Sequence, residues 1–245
     1  MNVISYSNDG RTVRLGEYIE ERFSELDLNF YLLPIPTARD GKHITGKDTE
    51  LSALLSSARA GDVFVGYDVP ETFIETARAR GIHVFDAARD LRFVEENARL
   101  TAEGTLARLM SGGRVSVKEM RVGIIGLGRI GGRLVRMLSM LGTKVTAFSS
   151  KTDEDICAEV IPYREMQRFN YKNLDILINT APTPLIDGSF SDRLRDVLII
   201  ELASGDNIEK SIPFERYAAV PSAMYPESAA RAYVEFFGRC ADLIF

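Results

Sequence analysis

The sequence has few of the residues that metal and disulfide sites require. Cys157 and Cys240 are its only cysteines, they do not form a C-x-x-C pair, and reduced structural thiols are the expected state. His43 and His83 are the only histidines, so a zinc site is not expected. We therefore predict a protein without a bound metal.

The chain also lacks the features that direct a protein to a membrane or to nucleic acid. No apolar run reaches membrane-spanning length, and the first residues lack the basic and apolar regions of a signal peptide. A net charge of −5 does not indicate a polyanionic partner. These absences predict a cytoplasmic protein that binds neither membrane nor nucleic acid. With 45% hydrophobic residues, the 245-residue chain can form one large or two small domains.

A glycine-rich turn is the most informative feature that is present. The apolar segment 122–125 predicts a buried strand, and a helical pattern at 134–141 follows it closely. Between them, Gly126, Gly128 and Gly131 fit G-x-G-x-x-G, which allows a tight turn, a close pyrophosphate and helix–strand packing. This order favours a dinucleotide site over a turn that merely joins strand to helix. The predicted cofactor contacts here are Gly126, Leu127, Gly128, Arg129, Ile130 and Gly131.

The rest of the chain alternates between strand and helix patterns, which predicts an α/β fold of two Rossmann-like domains. Each would have a parallel sheet with helices on both faces. We place a flavodoxin-like substrate domain at 1–95 and a dinucleotide-binding domain at 96–245. A helix at about 89–112 would link them, and a helix over Glu227–Phe245 would pack back on the N-terminal domain. A cleft between the domains is expected to hold the substrate.

The strand patterns are short apolar segments bounded by turn residues. In the first domain they lie at Val3–Ser5, Phe30–Leu33, Asp62–Gly66 and His83–Phe85. In the second they lie at Arg121–Ile125, Lys144–Phe148, Ile176–Asn179, Val197–Glu201 and Ala218–Val220. The first helix of the chain is predicted over Leu15–Leu26.

The end of the strand after the glycine turn determines the preference between NAD and NADP. Counting from Gly126 places Ser149 there, followed by Ser150 and Lys151. An acid at this place accepts from the ribose 2′-hydroxyl, whereas hydroxyls and a cation accommodate a 2′-phosphate. NADP is therefore favoured over NAD, although an ordinary polar turn would contain similar residues. The acidic run Asp153–Asp155 weakens the signal.

An ordered series of motifs resembles a known family. Ile178–Pro182, Glu201–Ser204 and Pro221–Ala229 follow the glycine turn, and Asn97 and Thr101–Gly104 precede it. The series resembles the A-type subunit of dipicolinate synthase and, more distantly, the D-2-hydroxyacid dehydrogenases. The resemblance implies NADP-dependent oxidation of a dihydrodipicolinate-type precursor to the pyridine dicarboxylate of bacterial spores. It also implies a flavoprotein partner subunit.

Further site residues are expected at strand ends and on the linker helix. Thr180–Pro182 is expected to contact the cofactor, with a plain strand-ending turn as the alternative. Arg11 is a candidate anchor for a substrate carboxylate and Glu103 a candidate proton acceptor, although a turn residue and a solvated charge are the simpler interpretations. The predicted substrate contacts are Asn8, Arg11, Thr101 and Ser222. The remaining predicted cofactor contacts are Ser149, Ser150, Lys151, Thr180, Ala181, Pro182, Ala203 and Ser204.

The scarcity of histidine separates the possible functions. The D-2-hydroxyacid dehydrogenases use an arginine for the substrate carboxylate and a histidine for the hydroxyl proton, and Ser204 and Ser222 occupy the corresponding positions. Because no histidine follows His83, the ordinary hydroxyacid mechanism has no proton carrier here. The first hypothesis is an NADP-dependent oxidoreductase of a small carboxylate. The second is a non-catalytic dinucleotide-binding or sensor protein, and we expect a homo-oligomer in both cases.

Overall fold

The structure is a computed structural model that describes residues 1–112, 115–151, 157–217 and 220–245. It contains two compact units. Unit 1 comprises Met1–Asn97 together with Pro221–Phe245, and unit 2 comprises Ala98–Val220. The C-terminal segment therefore belongs to the same unit as the N-terminus.

The regular elements alternate along most of the chain. The strands are β1 (Asn2–Ser5), β2 (Asn29–Leu32), β3 (Val63–Gly66), β4 (His83–Asp86), β5 (Arg121–Ile125), β6 (Lys144–Phe148), β7 (Glu159–Ile161), β8 (Ile176–Asn179), β9 (Leu198–Glu201) and β10 (Glu215–Arg216). The α-helices are α1 (Gly10–Phe23), α2 (Leu54–Ser57), α3 (Glu71–Ala79), α4 (Leu91–Gly112), α5 (Arg129–Met140), α6 (Val220–Met224) and α7 (Pro226–Ala241). Short 3-10 helices lie at Leu51–Ala53, Ala87–Arg89, Val117–Glu119, Tyr163–Arg168, Tyr171–Asn173 and Gly188–Phe190.

Unit 1 is built on a four-stranded parallel sheet of order β1-β2-β3-β4, with both faces buried. Because successive strand residues point to opposite faces, Phe30 and Tyr31 enter different cores. Phe30 packs with residues of α1 and α7, including Phe237, whereas Tyr31 stacks on Phe64 with ring centroids 4.4 Å apart. The apolar face of α7 is thereby covered within unit 1.

Unit 2 is built on a six-stranded parallel sheet of order β10-β9-β8-β5-β6-β7. Val122 and Ile124 of the central strand pack with α5 on one face, while Ile125 packs on the other face. Since all strands run in the same direction, their carboxyl ends share one edge of the sheet. The predicted α/β class, with parallel sheets and helices around them, is confirmed.

Some predicted element bounds differ from the structure. The predicted strand at Ala218–Val220 is wrong at Val220, because this residue begins α6. Residues 218–219 lie outside the described residues. The last strand that the structure describes is β10. Strand β7 was not predicted. Helix α1 begins at Gly10, five residues before the predicted start at Leu15, because the Asp9 carboxylate caps it by accepting from Arg11 N. Helix α7 ends at Ala241, before the predicted end at Phe245.

Within the described part of the chain, we find no helix with the length and apolar composition needed to cross a membrane.

Candidate functional site

The predicted cofactor residues lie together at the carboxyl edge of the unit 2 sheet. The glycine turn follows β5, Ser149–Lys151 follows β6, Thr180–Pro182 follows β8, and Ala203–Ser204 lies just beyond β9. These four strands are direct neighbours in the sheet. Ligands of open parallel sheets bind at this edge, so the arrangement forms a candidate dinucleotide site.

Two of the three motif glycines are required by the fold itself. Gly126 has a φ of +93°, and a Cβ there would lie 2.9 Å from Thr180 Oγ1. A Cβ on Gly131 would lie 1.9 Å from the Gly126 carbonyl oxygen. By contrast, a Cβ on Gly128 would meet no protein atom within 4 Å. The glycine at 128 therefore leaves open space beside the turn, whereas the other two allow strand, turn and helix to pack.

The N-terminus of α5 faces the same turn. Gly128 is its N-cap residue, and no side chain among the described residues caps the helix there. The backbone N–H groups of the first helical turn have no intrahelical acceptor, and they attract anions. Leu127 and Ile130 pack against the core, and Arg129 is exposed at the first helical position. The open glycine and the uncapped helix fit a pyrophosphate.

The loop after β6 begins with a buried hydroxyl. Ser149 is 4% exposed, its N–H donates to the Ile161 carbonyl (3.0 Å), and its Oγ accepts from Lys151 N (2.9 Å). Ser150 and Lys151 are exposed. The acidic run Asp153–Asp155 lies outside the described residues. The described residues after β6 thus border the site with the hydroxyls of Ser149 and Ser150 and the ammonium of Lys151.

The loop after β8 is fixed against the glycine turn by Thr180. Its Oγ1 donates to the Ile125 carbonyl (2.9 Å) and also lies 3.2 Å from the Gly126 carbonyl oxygen. Its N–H donates to the Ile125 carbonyl as well (2.9 Å). Ala181 is buried, and Pro182 is exposed. Thr180 therefore sets the distance between two of the loops that border the site.

Two buried polar residues that the sequence analysis did not assign to the site connect the loops after β8 and β9. Asn179 Nδ2 lies 3.1 Å from each carboxylate oxygen of Glu201, and both side chains are at most 1% exposed. Asn179 Nδ2 also donates to the Ala181 carbonyl (3.2 Å), while Asn179 Oδ1 accepts from Ala181 N (3.2 Å). Glu201 accepts a further bond from Ala203 N (2.8 Å). The sequence feature that could have identified Asn179 and Glu201 is that each is the polar last residue of an otherwise apolar strand.

Burial dominates the electrostatics of Glu201. Desolvation raises the pKa of the Glu201 carboxyl above its ordinary value, and the nearby charge of Asp206 adds to this. The hydrogen bonds from Asn179 and Ala203 and the charge of Arg216 act in the opposite direction but do not cancel the effect of burial.

Beyond this carboxyl, Ser204 is exposed, and its carbonyl accepts from Asn207 Nδ2 (2.8 Å).

In unit 1, two predicted substrate residues from opposite ends of the chain meet at one carboxylate. Arg11 is 4% exposed, and its Nε and Nη2 donate to the two oxygens of Asp9 (2.8 Å each). The Ser222 hydroxyl also bonds to Asp9. Burial alone would raise the pKa of the Asp9 carboxyl, but Arg11 and Ser222 outweigh it and hold that pKa below its ordinary value. Asn8 is exposed beside this cluster.

The other two predicted residues lie in unit 2, on α4. Thr101 is buried, and its carbonyl accepts from Thr105 Oγ1 (2.8 Å). Glu103 is about one-third exposed and pairs with Arg99 one helical turn away, with 2.5 Å between Glu103 Oε1 and Arg99 Nη1. The charge of Glu103 is thus engaged in a local ion pair.

The overall architecture is shared with several solved structures. The A-type subunit of dipicolinate synthase from Bacillus halodurans matches with a TM-score of 0.75 and 17% identity over 98% of this chain and 97% of that one. The corresponding dipicolinate synthase chain from Bacillus subtilis matches with a TM-score of 0.73 and 16% identity, covering 100% and 96%. An NADPH-dependent glyoxylate/hydroxypyruvate reductase from Sinorhizobium meliloti, in complex with NADP and malonate, matches with a TM-score of 0.55 and 14% identity, covering 96% and 90%.

These likenesses confirm the resemblance predicted from the motifs at the level of the fold. No curated protein matches the sequence. The family described as D-isomer specific 2-hydroxyacid dehydrogenase, NAD binding domain, matches residues 82–206, which is just over half of the chain. Family and fold together support a dinucleotide-binding oxidoreductase with a nicotinamide cofactor. The chain belongs to the D-isomer specific 2-hydroxyacid dehydrogenase, NAD binding domain family.

Proposed function

We propose that unit 2 binds NADP along the carboxyl edge of its sheet. The observation that carries this proposal is the contrast among the motif glycines. Gly126 and Gly131 are enclosed by protein atoms, whereas Gly128 leaves open space in front of an uncapped helix N-terminus. A pyrophosphate in that space would accept from the backbone N–H groups of α5, where the helix dipole favours negative charge.

The choice of NADP over NAD rests on the loop after β6. We propose that Ser149, Ser150 and Lys151 surround the 2′-phosphate with two hydroxyls and one ammonium. A carboxylate in place of Ser149 would repel this phosphate, so its absence favours the phosphorylated cofactor. NAD is the less favoured alternative.

The nicotinamide half would lie beside Thr180–Pro182, Ala203 and Ser204, whose small side chains leave room for a ring. When bound, the nicotinamide supplies the hydride acceptor. The residues of this chain would bind and orient it. Thr180 contributes by fixing its loop against the glycine turn, and the Asn179–Glu201 pair joins that loop to the one after β9.

For the substrate we propose a small dicarboxylate of the dihydrodipicolinate type. Arg11 would hold a carboxylate, with Asn8 and Ser222 as further contacts within unit 1, and the contact predicted for Thr101 of unit 2 stays a prediction. The convergence of Arg11 and Ser222 on Asp9 supports a prepared polar cluster in unit 1. Charge-assisted bonds of this kind are worth about 1.5–3 kcal/mol each. Activity with a flavoprotein partner, which the family resemblance implies, is part of this proposal.

This chemistry suits a chain with few proton carriers. No histidine follows His83, and Glu103 is the proposed proton acceptor. Oxidation of a dihydropyridine ring gains driving force from aromatisation, and no alkoxide has to form. A substrate of this type therefore places a smaller demand on general-base catalysis than a 2-hydroxy acid does.

Calorimetric titration with NADP, NADPH, NAD and NADH tests the cofactor. We expect the wild type to bind the phosphorylated pair more tightly. Ser149→Asp should reverse the preference by about tenfold or more, since losing one charge-assisted contact is worth at least that much. Ser149→Asn is the matched control, because it has the shape of aspartate without the charge. Absence of binding by all four nucleotides at millimolar concentration would reject the proposal, whereas tighter binding of NADH would reject only the preference for NADP.

The second candidate is a non-catalytic dinucleotide sensor. The exposed Ser204, at the place of the arginine in the wider family, and the absence of histidine after His83 favour it. Turnover assays with dihydrodipicolinate-type and other dicarboxylates, with and without a flavoprotein partner, separate the two. Nucleotide binding without turnover in any of them would support the sensor.

A further inference from the structure

A buried acid, Glu201, lies behind the two loops that are proposed to border the nicotinamide. Glu201 is fully buried at the end of β9, and every hydrogen bond described for its carboxyl is one that it accepts. The donors are Asn179 Nδ2, which reaches both oxygens, and Ala203 N. A carboxyl group surrounded by donors in this way is suited to the ionised form.

The orientation of Asn179 is determined by its own loop. Its Oδ1 accepts from Ala181 N (3.2 Å), so its Nδ2 must face Glu201. Protonation of Glu201 would leave Asn179 Nδ2 one acceptor oxygen in place of two and would set an O–H donor beside it. The contact that holds the amide, and with it the bond from Ala181 N, would therefore be weakened. The conformation of the loop after β8 is therefore coupled to the charge of Glu201.

The same carboxylate also fixes the loop after β9, because it accepts from Ala203 N at 2.8 Å. Strands β8 and β9 are neighbours, and Leu202 N donates to the Asn179 carbonyl at 2.9 Å. One carboxylate thus orders the backbone of both loops that would border the nicotinamide.

We propose that Glu201 is a positioning residue whose ionised carboxylate, acting through Asn179 and Ala203, holds the two nicotinamide-facing loops in the conformation that binds the cofactor. This role rests on the proposed function. It assigns no contact between Glu201 and the cofactor, and it predicts that cofactor affinity depends on the protonation of a group buried behind the site.

The direction of the pH effect follows from the surroundings of Glu201. Burial and Asp206 raise its pKa, while Asn179, Ala203 N and Arg216 oppose the rise without cancelling it. The unliganded protein therefore takes up this proton above the ordinary range of a glutamate, and a cofactor that requires the carboxylate must displace it. Affinity should fall as the pH is lowered through that window, and binding within the window should release a proton.

The test measures the dissociation constant of the tightest-binding of the four nucleotides from about pH 8 down to about pH 5, a range chosen to cover a raised glutamate pKa. Glu201→Gln keeps the shape of the side chain but places a donor against Asn179. We expect it to bind about tenfold more weakly than the wild type near pH 8, the effect of losing one hydrogen bond to a charged group. It should also lack the component of the pH profile that Glu201 contributes. Titration of the nucleotide phosphates affects both proteins alike and cancels in the comparison.

Asp62→Asn is the matched control, because Asp62 is another fully buried acid that accepts from an asparagine, Asn29, but lies in unit 1. It should keep the affinity and pH profile of the wild type. The role is overturned if Glu201→Gln matches the wild type in both, or if Asp62→Asn weakens binding as much. Should Glu201→Gln fail to fold, wild-type titrations in buffers of different ionisation enthalpy decide, and binding without proton release at every pH from about 8 down to about 5 would contradict the role. A wild type that binds none of the nucleotides rejects the proposed function itself, and this role with it.

Discussion

Each unit buries a carboxylate against an asparagine, but at opposite edges of its parallel sheet. In unit 1, Asp62 precedes β3, and its carboxylate accepts two hydrogen bonds from Asn29, the first residue of β2. The donors are Asn29 N (2.9 Å) and Asn29 Nδ2 (3.1 Å). In unit 2, Glu201 ends β9 and accepts from Asn179, the residue that ends β8. The amino edge carries the turns that enter the strands, whereas ligands bind at the carboxyl edge. The same pair of groups therefore acts as scaffold in one unit and shapes the candidate site in the other.

The largest effect is expected at an enclosed glycine of the unit 2 turn, compared with an open glycine of unit 1. We expect Gly131→Ala to lower the free energy of unfolding by about 3 kcal/mol or more, at the upper end of overpacking effects. The reason is that its Cβ would lie 1.9 Å from the Gly126 carbonyl oxygen. Gly10→Ala is the control in unit 1, since a Cβ at the first residue of α1 meets nothing within 4 Å. It should be neutral or slightly stabilising. Denaturant unfolding measures both, and wild-type stability for Gly131→Ala would contradict the packing described for the turn.

A smaller effect is expected from the buried ion pair of unit 1. Arg11→Met removes the cationic partner of Asp9, and it should lower the free energy of unfolding by about 2 kcal/mol, less than for a fully buried pair because the Asp9 side chain is 19% exposed. The double variant Asp9→Asn, Arg11→Met removes the stranded charge and should recover part of that loss. Thermal unfolding of the two variants checks this. A double variant no more stable than Arg11→Met would show that packing, and not the unpaired carboxylate, causes the loss.

The central strands of unit 2 could be predicted closely from the sequence. Strands β5, β6 and β8 have the predicted bounds, because each is a short, mostly apolar run next to a turn signal. The glycine motif likewise located the turn after β5. Strand β7 was missed because its three residues are exposed or only partly buried and carry no continuous apolar pattern. The predicted start of α1 was too late because Arg11 and Thr12 are polar residues that the fold buries, which hides the first helical turn from an apolar pattern.

The connections within the candidate site could not be derived in the same way. Asn179 and Glu201 are separated by 22 positions, and only the order of β8 and β9 in the sheet brings them together. Asp9 binds Arg11, which lies in the first turn of α1, and also Ser222, which is more than 200 residues away in the sequence. Local patterns predict strands and turns, whereas such pairs depend on which elements become neighbours.

The most direct test of a dinucleotide site at the unit 2 turn is a calorimetric titration of NADPH into the wild type and Gly128→Ala. A Cβ at position 128 meets no protein atom within 4 Å, so the unliganded variant should melt like the wild type. The same Cβ would occupy the space proposed for the pyrophosphate, so affinity should fall by about tenfold or more, the cost of losing one charge-assisted hydrogen bond. Equal affinity in the two proteins, or no binding by the wild type, would contradict this account of the glycine turn.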